Sequence, residues 1–336
     1  MKHLLTLCSI LILLSACSQD EVVNIYSSRH YDTDIRLYND FTEQTGIQIN
    51  LIEGSSDELI ERIRNEGLNS PADILITVDA GRLWRAKEAG ILQPHQSHYL
   101  SHVIPSQMQE LDGYWIGLSE RVRGIVYNTS RVDRDELGGY LDLGSEVLQG
   151  RVCVRSSNNI YNQSLVSSMI ETYGEEATEE WAARLVQNFA RPPQGGDTDQ
   201  IRAVAAGICD VALVNHYYLA RLIQSQSEAD REVASTVDIY FPPFEYGGTH
   251  VNISGAGIAA NSPNRENAVR FLEYLATGES QLIFAIGNNE FPVLDGLDLP
   301  EELLRFGDYD SDAVNVTMYG TNNPRSIRIM DRVGWR

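Results

Sequence analysis

Positive charge is in short supply in this 336-residue chain: 26 Lys and Arg stand against 47 Asp and Glu, for a net charge of −21. A surface of that sign repels phosphate backbones, which excludes nucleic acid as a partner. It suits cation capture, although solubility alone accounts for it. Cysteine is scarce as well, four residues without a CxxC spacing, so the usual zinc and redox motifs are absent. There is no HExxH, no Walker sequence, no GxSxG and no cysteine placed as a nucleophile. The fragment Gly255-Ala256-Gly257 lies in a strand-like run rather than on a strand-to-helix turn, so it is no dinucleotide fingerprint. Phenylalanine is outnumbered two to one, 8 against 16 tyrosines, and the tyrosines turn out to be the informative residues.

The N-terminus reads as an export signal. Lys2 and His3 precede an apolar run over residues 4–14, too short to span a bilayer in the usual way. Leu14-Ser15-Ala16-Cys17 follows and resembles a bacterial lipobox, in which the cysteine is lipidated. Residues 1–17 are therefore expected to be a signal peptide with lipobox, and the mature protein to sit in the periplasm, held by lipid at Cys17. Ordinary signal cleavage is the alternative. Cys153 and Cys209 remain, and in an oxidising compartment two leftover cysteines tend to pair. Two buried free thiols are the other reading.

The rest is long enough for two compact domains. Strand and helix patterns alternate. Residues 22–26, 47–52 and 73–78 read as strands and residues 34–41, 56–66 and 81–89 as helices, with Gly46 ending the first helix. That order predicts α/β architecture with a mainly parallel sheet flanked by helices. Residues 114–118 and 121–128 look like two strands where the chain changes domain. A second α/β unit begins near Gly150, and residues 250–260 read as a return strand.

Tyrosines mark the ends of three strands. Tyr31 follows the strand at residues 22–26, Tyr161 follows residues 152–154, and Tyr217-Tyr218 follow residues 210–214. Ligands in open α/β sheets collect outside the carboxyl ends of strands. Four phenols and the neighbouring His30 thus converge on one crevice. Phenolate is a hard oxygen donor, and clustered phenolates suit a highly charged hard cation such as Fe³⁺. Each tyrosine stands at a helix N-terminus, whose partial positive charge favours phenolate. Free tyrosine titrates near 10, so metal binding must displace protons. Four phenolates around Fe³⁺ leave one formal negative charge, for which Arg123 and Arg221 are the candidate balances, with Arg29 further back.

At these residues the chain resembles the ferric-iron-binding proteins of bacterial ABC importers, most closely the Fut-type group. The segments that carry the likeness include residues 26–31, 72–83, 121–127, 155–164, 215–218 and 250–255, and it extends over the whole mature chain. The resemblance implies a type II, Venus-flytrap periplasmic binding protein of two lobes. These are expected at residues 22–120 with 248–290 and at residues 121–247 with 291–336. It implies that Tyr31, Tyr161, Tyr217 and Tyr218 ligate the iron, that His30 matches a position ligating in some members only, and that Arg123 and Arg221 stand behind them. It also implies an inner-membrane ABC permease as partner, a monomer, no catalysis, and an exogenous synergistic anion in one branch of the family. Two other functions remain open at this point: a binder of an oxyanion or small organic solute, and an iron-dependent oxidoreductase.

Overall fold

The computed structural model describes residues 21–29, 31–245 and 247–336. The export segment, Cys17 and His30 lie outside the described residues. Nine strands are present among them: β1 Val22–Ser27, β2 Gln48–Glu53, β3 Ile74–Val78, β4 Leu92–Gln93, β5 Ile116–Asn128, β6 Val152–Cys153, β7 Val211–Asn215, β8 Val237–Tyr240 and β9 Val251–Ala259. The helices of the first half are α1 Asp32–Thr45, α2 Ser56–Glu66, α3 Ala80–Glu88 and α4 His98–Val103. Next come α5 Ile160–Tyr173, α6 Glu175–Gln187, α7 Asp197–Ala205, α8 His216–Ile223 and α9 Glu228–Ser235. The chain ends through α10 Arg265–Leu275, α11 Gly278–Asn288, α12 Glu301–Leu304, α13 Thr317–Thr321 and α14 Asn323–Arg332.

Local chemistry explains many of the boundaries. Gly46 closes α1 at φ 77°, a left-handed position where glycine has no Cβ penalty. Helix α2 covers the expected residues 56–66, is led by a capping box between Ser55 and Glu58, and buries Leu59, Ile60 and Ile63 on one face. Strand β3 reads Ile-Leu-Ile-Thr-Val without alternation because both of its faces are covered.

The strands run in the order β2-β1-β3-β9-β5-β7-β6. Only β2-β1-β3 and β6-β7 are parallel; β9 and β5 are antiparallel to their neighbours. The expected mainly parallel sheets are thus mixed. The cause is the crossing between lobes: a chain that leaves one lobe and later returns must do so on strands of opposite direction. Strand β5 is the outbound crossing, a single element of 13 buried residues rather than the two expected strands. Its residues up to Val122 pair with β9, and from Arg123 onward it pairs with β7. Gly124 is needed there, since a Cβ would come within 2.7 Å of the Ile239 side chain on β8.

Around these sheets the protein folds as two lobes. In the second, Leu165, Val166 and Met169 of α5 join Trp181, Val211, Leu213 and Trp335 in a common core. Cys153 and Cys209 form a disulfide closing a separation of 56 residues, which the chain-entropy account values at about 4 kcal/mol. Among the described residues no helix is long and apolar enough to cross a membrane.

Candidate metal centre

The four tyrosines reach the cleft from three strand-to-helix junctions. Tyr31 is the N-cap of α1, in the lobe built on β1. Tyr161 lies in the first turn of α5, which begins at Ile160. Tyr217 and Tyr218 open α8 directly after β7. Adjacent side chains in a helical first turn splay by only part of a revolution, so their rings lie 4.5 Å apart with planes tilted by 34°. Asn215 precedes α8, yet its side chain does not cap the helix. Its Nδ2 instead donates to Tyr217 Oη at 3.2 Å.

Arginines tie the phenols together. Arg221, one turn along α8, stacks its guanidinium 5.1 Å from the Tyr31 ring centre, 5.0 Å from that of Tyr217 and 5.5 Å from that of Tyr218. It therefore spans both lobes. Arg121 of β5 donates to Tyr217 Oη and, at 3.3 Å, to Tyr161 Oη. Sequence reasoning missed Arg121 and named Arg123. The structure places Arg123 behind the phenols, 6.0 Å from the Tyr161 ring centre. Its guanidinium bonds Asp197 at 2.9 Å, Asn215 at 3.0 Å and Asn162 at 2.7 Å. The two arginines are i and i+2 on one strand and share a face, so the pattern alone does not tell them apart.

Glu290 was also missed. It is fully buried beyond α11 and accepts from Arg29 Nη1 at 2.8 Å and Ser254 Oγ at 3.1 Å, as well as from Ser119. Its other oxygen faces Arg121 Nε at 3.4 Å. Burial alone would raise this carboxyl, but Arg29 and Arg121 outweigh it and hold the group down at about 2. Arg29 in turn pairs with Asp34 of α1 at 2.8 Å and stacks 4.8 Å from the Tyr31 ring centre.

The phenols do not titrate alike. Burial opposes ionisation of Tyr161, but Arg121 and a hydrogen bond with Tyr217 prevail, and its pKa falls below the usual value. Burial drives Tyr217 well above 10, and the neighbouring phenols Tyr161, Tyr218 and Tyr31 add to the rise. Burial together with Tyr161 and Asp197 pushes Tyr218 up to about 12. Each further phenolate thus repels the ones already formed. A trivalent cation between them removes that cost, because it turns mutual repulsion into shared attraction. Among the described residues no group of three or more His, Cys, Asp or Glu side chains is poised for a metal.

Two lobes joined by antiparallel crossings, with polar side chains from both meeting in the cleft, define a solute-binding protein. The chain belongs to the family of bacterial extracellular solute-binding proteins, whose profile matches residues 36–305. Its relatives narrow the class. It is 46% identical to Iron uptake protein A1 of Synechocystis over 96% of this chain and 93% of that protein. Iron uptake protein A2 of the same organism is 48% identical, over 96% and 92%. Among solved structures, a Trichodesmium protein (IdiA, FutA) in complex with iron and citrate ligands superposes with a TM-score of 0.92 at 53% identity, covering 94% of this chain and 100% of that one.

Proposed function

We propose that this protein is the substrate-binding component of an ABC importer, capturing ferric iron between its lobes and delivering it to a membrane permease. The convergence of Tyr31, Tyr161, Tyr217 and Tyr218 around Arg121 and Arg221 carries the reading. The iron-uptake relatives and the iron-bound Trichodesmium structure support it. The protein is a transport binder, not an enzyme. Tyr31 is the ligand of the first lobe, and Tyr161, Tyr217 and Tyr218 are those of the second. The proposed lobes are residues 22–120 with 248–290 and residues 121–247 with 291–336, hinged where β5 changes partner. Iron favours the closed state only through ligands drawn from both lobes. His30 is retained as a fifth donor.

The arginines compensate the excess phenolate charge, Arg121 and Arg221 directly and Arg123 from behind. They also leave room in the charge balance for an exogenous anion such as citrate beside the metal. Because phenols must lose protons on loading, affinity rises with pH, by up to about tenfold per unit for each proton displaced. The protein is further proposed to act in the periplasm as a monomer anchored by lipid at Cys17, and a Cys17→Ala variant recovered in the soluble fraction tests the anchor.

The functional test is a visible-absorption titration of residues 18–336 with ferric citrate at neutral pH. A broad phenolate-to-iron charge-transfer band saturating at one iron per chain is expected. A flat spectrum overturns the ferric reading and leaves a small-solute binder.

A further inference from the structure

Asp79, between β3 and α3, has the properties of a functional residue although it lies outside the phenol cluster. Its backbone sits at φ 80° and ψ 122°, a conformation that residues with a Cβ avoid. Glycine would adopt it without strain, yet the chain carries an aspartate there. The side chain is fully buried, and among the described residues no ion pair involves it. A buried carboxylate without a cation depends on hydrogen bonds, and the three groups bonded to the Asp79 carboxylate explain its position.

Oδ1 accepts from the Gly81 N–H at 2.9 Å, which caps α3. Oδ2 accepts from Asn252 Nδ2 of the crossing strand β9 at 2.8 Å. Ser164 Oγ of α5 bonds both oxygens, at 2.8 Å and 3.0 Å. The Asp79 N–H itself donates to Ile253 O of β9 at 2.8 Å. Helix capping needs only the first of these contacts. Ser164 belongs to the other lobe and stands three residues after Tyr161, on the same helix face.

We propose that Asp79 is a positioning residue that reaches across the cleft from the β9 crossing, grips Ser164 and so fixes the helix bearing Tyr161 in its iron-ligating place. The proposal rests on the ferric reading above. It makes α5 a part whose seat depends on the opposite lobe, so that lobe closure and presentation of Tyr161 occur together.

Ser164→Ala removes the grip, and Asp79→Gly removes it while relieving the strained backbone. Ser164→Ala is expected to keep the thermal midpoint of the apo protein, whereas Asp79→Gly, which also removes the α3 cap and the acceptor of Asn252, is expected to lower it modestly despite the relieved backbone. Both are expected to release iron to excess citrate about tenfold faster, as loss of a hydrogen bond to a buried charge implies. Their charge-transfer maximum should also move from the wild-type position. Ser164→Thr, which keeps the hydroxyl, should restore rate and spectrum. Wild-type release and spectrum in both Ser164→Ala and Asp79→Gly would overturn the proposal. So would losses that track a fall in thermal midpoint and are not rescued by Ser164→Thr, since that pattern marks ordinary packing. A wild-type protein without any charge-transfer band would instead overturn the ferric reading itself.

Discussion

Arg121 and Arg123 leave the same strand on the same face, both essentially without exposure, and they live in opposite surroundings. Around Arg123 both terminal nitrogens bond uncharged amides or a carboxylate, Asp197 and the amide oxygens of Asn215 and Asn162, while its Nε makes no hydrogen bond. Asp197 is shared with Arg155 at 3.2 Å and accepts the Asn215 N–H at 2.8 Å. That pocket fixes where α5, α7 and β7 meet. Arg121 also leaves its Nε without a hydrogen bond, but its carboxylate, Glu290, stands off at 3.4 Å and its donors point at two phenols. A buried charge left partly unsatisfied is costly, and such sites are where function is to be sought. Partner chemistry, not burial, separates the two arginines, and on the proposed reading Arg121 is the one that serves the metal.

The sharpest way to break this contrast is to empty the working pocket. Replacing Tyr217 and Tyr218 together by Phe removes two of the four proposed donors and keeps the ring packing. Iron affinity should fall by more than the roughly 10–100-fold that follows loss of an outer-shell partner, and the charge-transfer colour should bleach. Unchanged colour and affinity in the double variant would mean the metal lies elsewhere.

The arginine pair comes next. Arg123→Met leaves Asp197 buried with only Arg155, and breaking such a pair costs about 3–5 kcal/mol. Urea unfolding should show that loss of stability. Arg121→Met leaves Glu290 paired with Arg29, so unfolding should change little, while iron affinity drops about 10–100-fold. A reversal of the two phenotypes would mean that the roles assigned here are exchanged.

The contrast also marks what the sequence discloses. The tyrosines were legible because each sits at a strand-to-helix junction, a feature written in about ten consecutive residues. Strand and helix alternation was legible for the same reason. The arginine assignment was not, because its deciding partners are remote: Asp197 lies 74 positions from Arg123, and Glu290 lies 261 positions from Arg29. Glu290 follows Asn288 and Asn289 just past a helix end, where nothing local distinguishes it from a surface loop acid. The continuity of β5 was misjudged at Ser119-Glu120, two polar residues between the expected strands that are in fact buried inside one strand, next to a register shift between Gly117 and Ser119.

Glu290 supplies a pH test of the working pocket. Its folded pKa, about 2, lies below the usual carboxylate value. Its contribution to stability is therefore complete above about pH 4.5 and lost as pH falls toward 2, amounting to about 3 kcal/mol. Wild-type urea midpoints should decline through that window, and the Glu290→Gln variant, less stable at neutral pH, should decline less steeply. Equal slopes would show that the two arginines do not depend on this carboxylate.

Glu120, next to Arg121 on β5, completes the comparison from the other side of the strand. It is also buried, but its partners are hydroxyls, Tyr309 Oη at 2.8 Å and Ser311 Oγ at 3.2 Å. Burial outweighs both hydrogen bonds and raises its pKa to about 7. The sign is therefore opposite to that of Glu290. The folded state holds a proton that the unfolded state releases, so stability declines as pH rises from about 4.5 to 7. Glu120→Gln keeps the shape and an acceptor for both hydroxyls, which bond the neutral amide more weakly than a carboxylate. The net gain above pH 7 is thus expected to be on the order of 1–2 kcal/mol, with no gain near pH 4. Thermal midpoints of the two proteins at pH 4 and pH 8 decide it. A variant no more stable than wild type at pH 8 would show that the hydroxyls and bound water already satisfy the charged form. Glu120 would then join Arg123 among the contacts that hold the fold rather than serve the site.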